Sequence, residues 1–306
     1  MIKGMQDTRE SSDTSSEEFM VSSRRTCLIT GANAGIGRAA AQQLVEAGHR
    51  VLMGCRDRVR GEAAARQLRL AVPGADLSLL VLDMSSRQSI REAAERVDDL
   101  DVLVHNAAYF DLRIRARTET LDGLETTWAT NYLGPALLTE LLLPVLQKSG
   151  DARVIAVMSK GLMLFPRLAV DLQDPEFKRR RFSVWRAYYQ SKLAHLAWML
   201  SQAERWRSSR VQFHGVRVTN VKIDLARYPG LAWPLRAMYA VKSAFSVSPT
   251  EMARTYVWLA TDDGGRLGTG GYWDRIGDSA PVSRWASNPE NRAALDVLTR
   301  AQLLVS

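Results

Sequence analysis

From residue 24 onward the chain alternates short apolar runs with longer segments of helical period. TCLIT (26–30), HRVLMGC (49–55), DLSLLVLDM (76–84), DVLVHNAA (101–108), ARVIAVMS (152–159) and VQFHGVRVTNVKI (211–223) are nearly continuous apolar stretches and read as buried strands. Residues 38–48, 58–72, 85–100, about 121–148, 183–207 and 248–263 carry the 3.6-residue period of helices. Their ends are marked: Gly48 and Pro73-Gly74 as stops, a Ser opening 85–100, and Ser248-Pro249 as cap and first helical residue. Gly271-Tyr272-Trp273 opens a short last strand.

Strands that alternate with helices require right-handed crossovers and a parallel sheet. Apolar residues on both faces of each strand mean that helices cover both sides. No repeat or linker divides the chain, so residues 23–306 are expected to form one doubly wound α/β Rossmann domain. Residues 1–22 form a polar leader (QDTRESSDTSSEE) without an apolar h-region, and read as disordered rather than as a secretory signal.

Composition narrows the class. With 306 residues, 46% hydrophobic and 24% charged, the chain is neither disordered as a whole nor a coiled coil. Mean hydropathy is −0.17, and no run of ~18 apolar residues lacks a charge, which argues against a membrane-spanning helix. Cys27 and Cys55 sit in apolar runs and read as buried thiols of a reduced, cytoplasmic compartment. The net charge of +8 suits a small anionic ligand better than nucleic acid, because the charge is dispersed. Its one tight run, Lys178-Arg179-Arg180-Arg181, reads as a solvated loop.

The first strand and helix are joined by Thr30-Gly31-Ala32-Asn33-Ala34-Gly35-Ile36-Gly37. This glycine spacing lets backbone approach a pyrophosphate, which the free N–H groups of the helix start would bind. The second strand ends in Cys55-Arg56-Asp57, with no acidic residue at its tip. Arg56 and Arg38 suit a 2′-phosphate, so NADP(H) is favoured over NAD(H); Asp57 reads as the start of the next helix. Asp83 is placed to meet the adenine, and Asn106 to brace the glycine loop. Tyr188 and Lys192, four apart in a helix, share one face. An ammonium there favours the phenolate of a tyrosine that is otherwise a poor base.

TGANAGIG, CRD, LDMSS, HNAA, NYLG, the strand ending VMS, and YYQSK together resemble the short-chain dehydrogenase/reductase family. CRDRVRGEAAARQL, NYLGPALLTELLLPVL and YYQSKLAHLAW resemble its retinol-dehydrogenase-like branch. The resemblance covers about residues 24–275. It implies a catalytic group of Ser159, Tyr188, Lys192 and Asn131. It implies cofactor contacts from Gly31, Asn33, Gly35, Ile36, Gly37, Arg38, Arg56, Asp83, Met84, Asn106, Ala107 and Lys192. The expected activity is NADP(H)-dependent interconversion of an alcohol and an aldehyde or ketone, with no metal. A cofactor-binding sensor on the same fold is the alternative.

Three departures from the family pattern stand out. Ala108 replaces a glycine, Met158 a common serine, and Ile223-Asp224 a Pro-Gly pair. The last moves Arg227 or Tyr228 to where a threonine usually meets the nicotinamide carboxamide. The apolar, Pro-punctuated segment 228–247 is expected to be a substrate lid, which implies a bulky lipophilic substrate. Homo-oligomerisation, and peripheral membrane contact through that segment and residues 178–181, stay open at this level.

Overall fold

The computed structural model describes residues 24–219, 221, 246–261 and 267–304. The expected leader, Ile223-Asp224, and the lid except for its last two residues lie outside the described residues.

Among the described residues, eight strands form one sheet in the order β3-β2-β1-β4-β5-β6-β7-β8. They are β1 Thr26–Thr30, β2 Arg50–Cys55, β3 Leu77–Val81, β4 Val102–His105, β5 Ala152–Ser159, β6 Val211–Val218, β7 Tyr272–Arg275 and β8 Asp278–Ser279. All pairs are parallel except β7–β8, an antiparallel edge that the repeating pattern did not announce. The helices are α1 Gly35–Glu46, α2 Arg58–Ala71, α3 Arg87–Ala94, α4 Thr126–Trp128, α5 Gly134–Leu146, α6 Val184–Arg205, α7 Pro249–Thr261, α8 Arg284–Ser287 and α9 Pro289–Leu304. A π-helical turn, Ala129–Leu133, links α4 to α5.

Alternation along each strand divides the core in two. Cys27 and Ile29 belong to one core cluster with Leu44 of α1 and Tyr256 of α7, while Leu28 between them belongs to the other, with Leu138 of α5 and Ala197 of α6. This is why the strands read as unbroken apolar runs. Each such leucine contributes about 1.5–3 kcal/mol by leaving water.

The expected boundaries shift where tertiary pairing decides them. β6 stops at Val218 because its register partner, Ser159, is the last residue of β5. α3 ends at Ala94 rather than near 100. Asp57 caps α2 by accepting from Arg60 N–H at 3.0 Å, as its place one residue late suggested. Ser86, Ser183 and Ser248 cap α3, α6 and α7 in the same way. The basic run 178–181 wraps around one carboxylate: Asp174 accepts from the backbone N–H of Lys178, Arg179 and Arg180. Arg180 also stacks over Phe177 at 3.9 Å.

Candidate active site

The glycine loop lies at the carboxyl end of β1. Gly31 and Gly35 have φ of +68° and +58°, where a side chain would be strained. A Cβ on Gly37 would overlap the Asn106 amide and come within 2.8 Å of Gly31 O. Around Gly35 there is open space. α1 begins at Ala34 with no side-chain cap and no acidic residue in its first turn, so its leading N–H groups are left for an anion.

The loop is held from below. Asn106 Nδ2 donates to Thr30 O at 2.9 Å, and Ala107 N–H donates to Thr30 Oγ1 at 2.9 Å. The backbone N–H groups of Asn33 and Ala32 point at the Cys55 sulfur; burial nevertheless outweighs them and pushes that thiol up to about 11. Asn106 thus braces the loop, as expected of it. These residues fit a dinucleotide: a backbone cradle that side chains would fill, facing an open helix start.

Where the adenosine end of a dinucleotide is expected, Arg56 is exposed and Arg38 half-buried. Neither is ion-paired with a described carboxylate. Asp57 is turned away to cap α2. Asp83 accepts from Ser85 N–H at 2.9 Å and Ser85 Oγ at 2.7 Å, which fixes its carboxylate at the end of the third strand region. The Met84 side chain is buried in the core, so only its backbone is available to a ligand.

A cavity of about 310 Å³ runs from the loop to Ser159, Tyr188 and Lys192; Ile36, Asn106 and Tyr256 also line it. Ser159 ends β5, and its Oγ accepts from Gly161 N–H at 3.2 Å while pairing with the Tyr188 hydroxyl. Burial, aided by Tyr189, raises Tyr188 to about 12 against that hydrogen bond. Lys192 Nζ donates to Val157 O at 2.8 Å, and burial lowers the amine to about 8. The two groups share a wall as their spacing predicted. In this state burial is the largest influence on the tyrosine's acidity, opposed by the Ser159 hydrogen bond.

Asn131 sits behind this wall, fully buried in the π-helical turn. Its Oδ1 accepts from Tyr109 N–H at 2.6 Å, and its Nδ2 donates to Tyr109 O at 3.0 Å and Ser191 Oγ at 3.2 Å. Its side chain therefore clamps the loop after β4 against α6.

Sequence reasoning missed two groups. Phe110 packs on Tyr188 with ring centres 4.5 Å apart and on Trp185 at 5.1 Å, and Trp185 also stacks with Tyr189. Trp185, one turn before Tyr188, carried a periodicity signal; Phe110, in a loop, carried none. Beneath Lys192, the His105 and His195 rings meet edge to face at 5.6 Å. His105, which closes β4, bonds Thr139 at 2.7 Å. Burial, with Lys192 adding, lowers His105 to about 3, and His195 is lowered as well, so both stay neutral.

A profile of the short chain dehydrogenase family matches residues 25–170. Retinol dehydrogenase 14 of Mus musculus is 37% identical over 253 residues, spanning 77% of this chain and 73% of its own length. Retinol dehydrogenase 12 of Homo sapiens is 33% identical over 244 residues, spanning 78% and 74%. The crystal structure of an uncharacterized protein from Mycobacterium Paratuberculosis matches with a TM-score of 0.70 and 30% identity, over 91% of this chain and 92% of that one. Family profile, relatives and sheet order agree: the chain belongs to the short-chain dehydrogenase/reductase family of oxidoreductases and is retinol-dehydrogenase-like.

Proposed function

We propose that this chain is an NADP(H)-dependent oxidoreductase that interconverts an alcohol and an aldehyde or ketone on a bulky lipophilic substrate. The observation that carries this reading is the convergence of Ser159, Tyr188 and Lys192 on the cavity that continues from the glycine loop. When bound, the nicotinamide group supplies or accepts the hydride. The protein's own residues handle the oxygen and its proton. Ser159 Oγ hydrogen-bonds the substrate oxygen. In reduction, the Tyr188 hydroxyl gives its proton to that oxygen; in oxidation, it takes the proton back. A tyrosine held near 12 keeps its proton at neutral pH and is set to donate. A lysine near 8 is mostly charged at pH 7 and favours the phenolate in the reverse direction.

Arg38 and Arg56, without described carboxylate partners, support the NADP(H) preference. Phe110, Trp185 and Val157 at the cavity support an apolar substrate, in keeping with relatives named for retinol. The free thiols Cys27 and Cys55 support a cytoplasmic, reducing location. Titrating NADPH and NADH, then assaying an alcohol and carbonyl panel, tests the reading. Turnover with NADPH that disappears in Tyr188→Phe is expected. The sensor alternative, favoured by Ile223-Asp224, predicts tight NADPH binding with no turnover on any member of the panel.

A further inference from the structure

The C-terminal helix α9 stands outside the catalytic group, yet one of its faces is bonded to the turn that carries Asn131. Thr299 and Gln302 are three apart and share that face. Thr299 Oγ1 donates to Leu295 O at 2.6 Å, so in its contact with Tyr132 the tyrosine hydroxyl is the donor. Gln302 Oε1 accepts from Trp128 Nε1 at 3.0 Å. Its Nε2 donates to Glu176 Oε1 at 3.1 Å, and Glu176 Oε2 accepts from Glu125 N–H at 3.0 Å. The Glu125 carboxylate in turn accepts from the N–H of Thr127 and Trp128 at 2.9 and 2.7 Å.

Trp128 lies immediately before the π-helical turn and Tyr132 lies within it, one residue after Asn131. A π-helical turn is far rarer than the α-helix it interrupts and often marks a functional site, so the neighbours that contact it matter to its setting. Both of these large side chains are buried, and both hold their polar atoms against α9. A small rotation of the turn would carry Asn131 away from Tyr109 and Ser191.

We propose that Thr299 and Gln302 are positioning residues of the active site. Through Tyr132 and Trp128 they fix the π-helical turn in the one setting in which Asn131 clamps the Tyr109 backbone against α6. The consequence for turnover rests on the oxidoreductase reading; the positioning does not.

The test uses the full chain with Thr299→Val, Gln302→Leu and, as rescue, Thr299→Ser. Amide hydrogen exchange at Tyr109, whose N–H is bonded to Asn131, reads the clamp directly. Melting temperature, kcat and KM are measured beside it. Losing one such bond should lower Tyr109 protection roughly tenfold. In Thr299→Val and Gln302→Leu kcat should fall while KM for the cofactor holds, and Thr299→Ser should restore both protection and kcat. A lower melting temperature with wild-type Tyr109 protection and wild-type kcat would overturn the proposal and leave α9 a purely structural helix. If Thr299→Val fails to fold, Tyr132→Phe removes the same bond and keeps the ring. If no substrate turns over in the wild type, the exchange measurement still decides.

Discussion

The Asn106 side chain occupies the space that a Cβ on Gly37 would need. The same amide bonds Thr30 O, so loop and brace are packed to contact at the point where a pyrophosphate is expected. Gly37→Ala should push Asn106 off Thr30, lower stability by about 1–3 kcal/mol and abolish dinucleotide binding. Urea unfolding and NADPH titration measure both. Wild-type NADPH affinity in this variant would refute the assignment of the loop.

Tyr188→Phe keeps the ring against Phe110 and removes the transferable proton. Turnover should drop by about 10²–10⁴, and NADPH affinity should stay close to wild type. Ser159→Ala should also reduce kcat, and it removes the acceptor for Gly161 N–H. Steady-state kinetics on a substrate accepted by the wild type decides. Undiminished kcat in Tyr188→Phe would eliminate it as the acid and base.

Burying Lys192 carries a stability cost. Its amine falls from 10.5 in the unfolded chain to about 8 when folded. Below pH 8 the group is charged in both states, and the burial cost is fully present. Between about 8 and 10.5 the folded protein loses the proton first, so this group makes stability rise with pH, and above that range the cost is gone. Lys192→Met should therefore raise the unfolding free energy at pH 7 by about 1–3 kcal/mol, with the advantage shrinking by pH 10, while turnover is lost. Denaturation series at pH 7 and 10 show the sign. A variant less stable than wild type at pH 7 and no worse at pH 10 would contradict it.

Removing Arg56 or Arg38 should weaken NADPH and leave NADH nearly unchanged. Each charge-assisted contact is worth about 1.5–3 kcal/mol, so a tenfold or larger loss of NADPH affinity is expected from Arg56→Ala. Isothermal titration with both cofactors resolves the two terms. Equal affinities of the wild type for NADPH and NADH would remove the basis for the NADP(H) preference.

Trp185 presents an exposed ring beside Phe110 and Tyr189 at the cavity. Trp185→Ala should cut kcat/KM for long-chain carbonyls more than for short ones, by about 1–3 kcal/mol. A carbonyl series of rising chain length measures this slope. An unchanged slope would exclude Trp185 from substrate recognition.

The parallel strands were legible because both faces of each are buried, so their sequence signal is apolar throughout. Asp57 could be told from a ribose ligand by its one-residue offset, and it caps α2 as that offset implied. Helical spacing put Tyr188 and Lys192 on one face, and the family resemblance, not the spacing, pointed to their role. The short extent of β6 was not legible, since it depends on where β5 ends. The π-helical turn around Asn131 was hidden because a local pattern of period 3.6 continues through it. α9 was missed, although Asn288 before Pro289 is a cap signal and its Oδ1 accepts from the N–H of Glu290 and Asn291. The aromatic wall of Phe110, Trp185 and Tyr189 joins three loop and helix positions that only the fold brings together.

The two thiols have a practical consequence. Cys27 and Cys55 are the only cysteines in the chain, both are fully buried, and burial holds their acidities at about 12 and about 11. Alkylating reagents attack thiolates, so at neutral pH the native protein should ignore maleimide until it unfolds. One cysteine introduced at an exposed position of α9, such as Val297, would then be a unique attachment point for a fluorophore or spin label. No background-free variant would have to be built first, and the glycine loop that Cys55 supports would be left untouched.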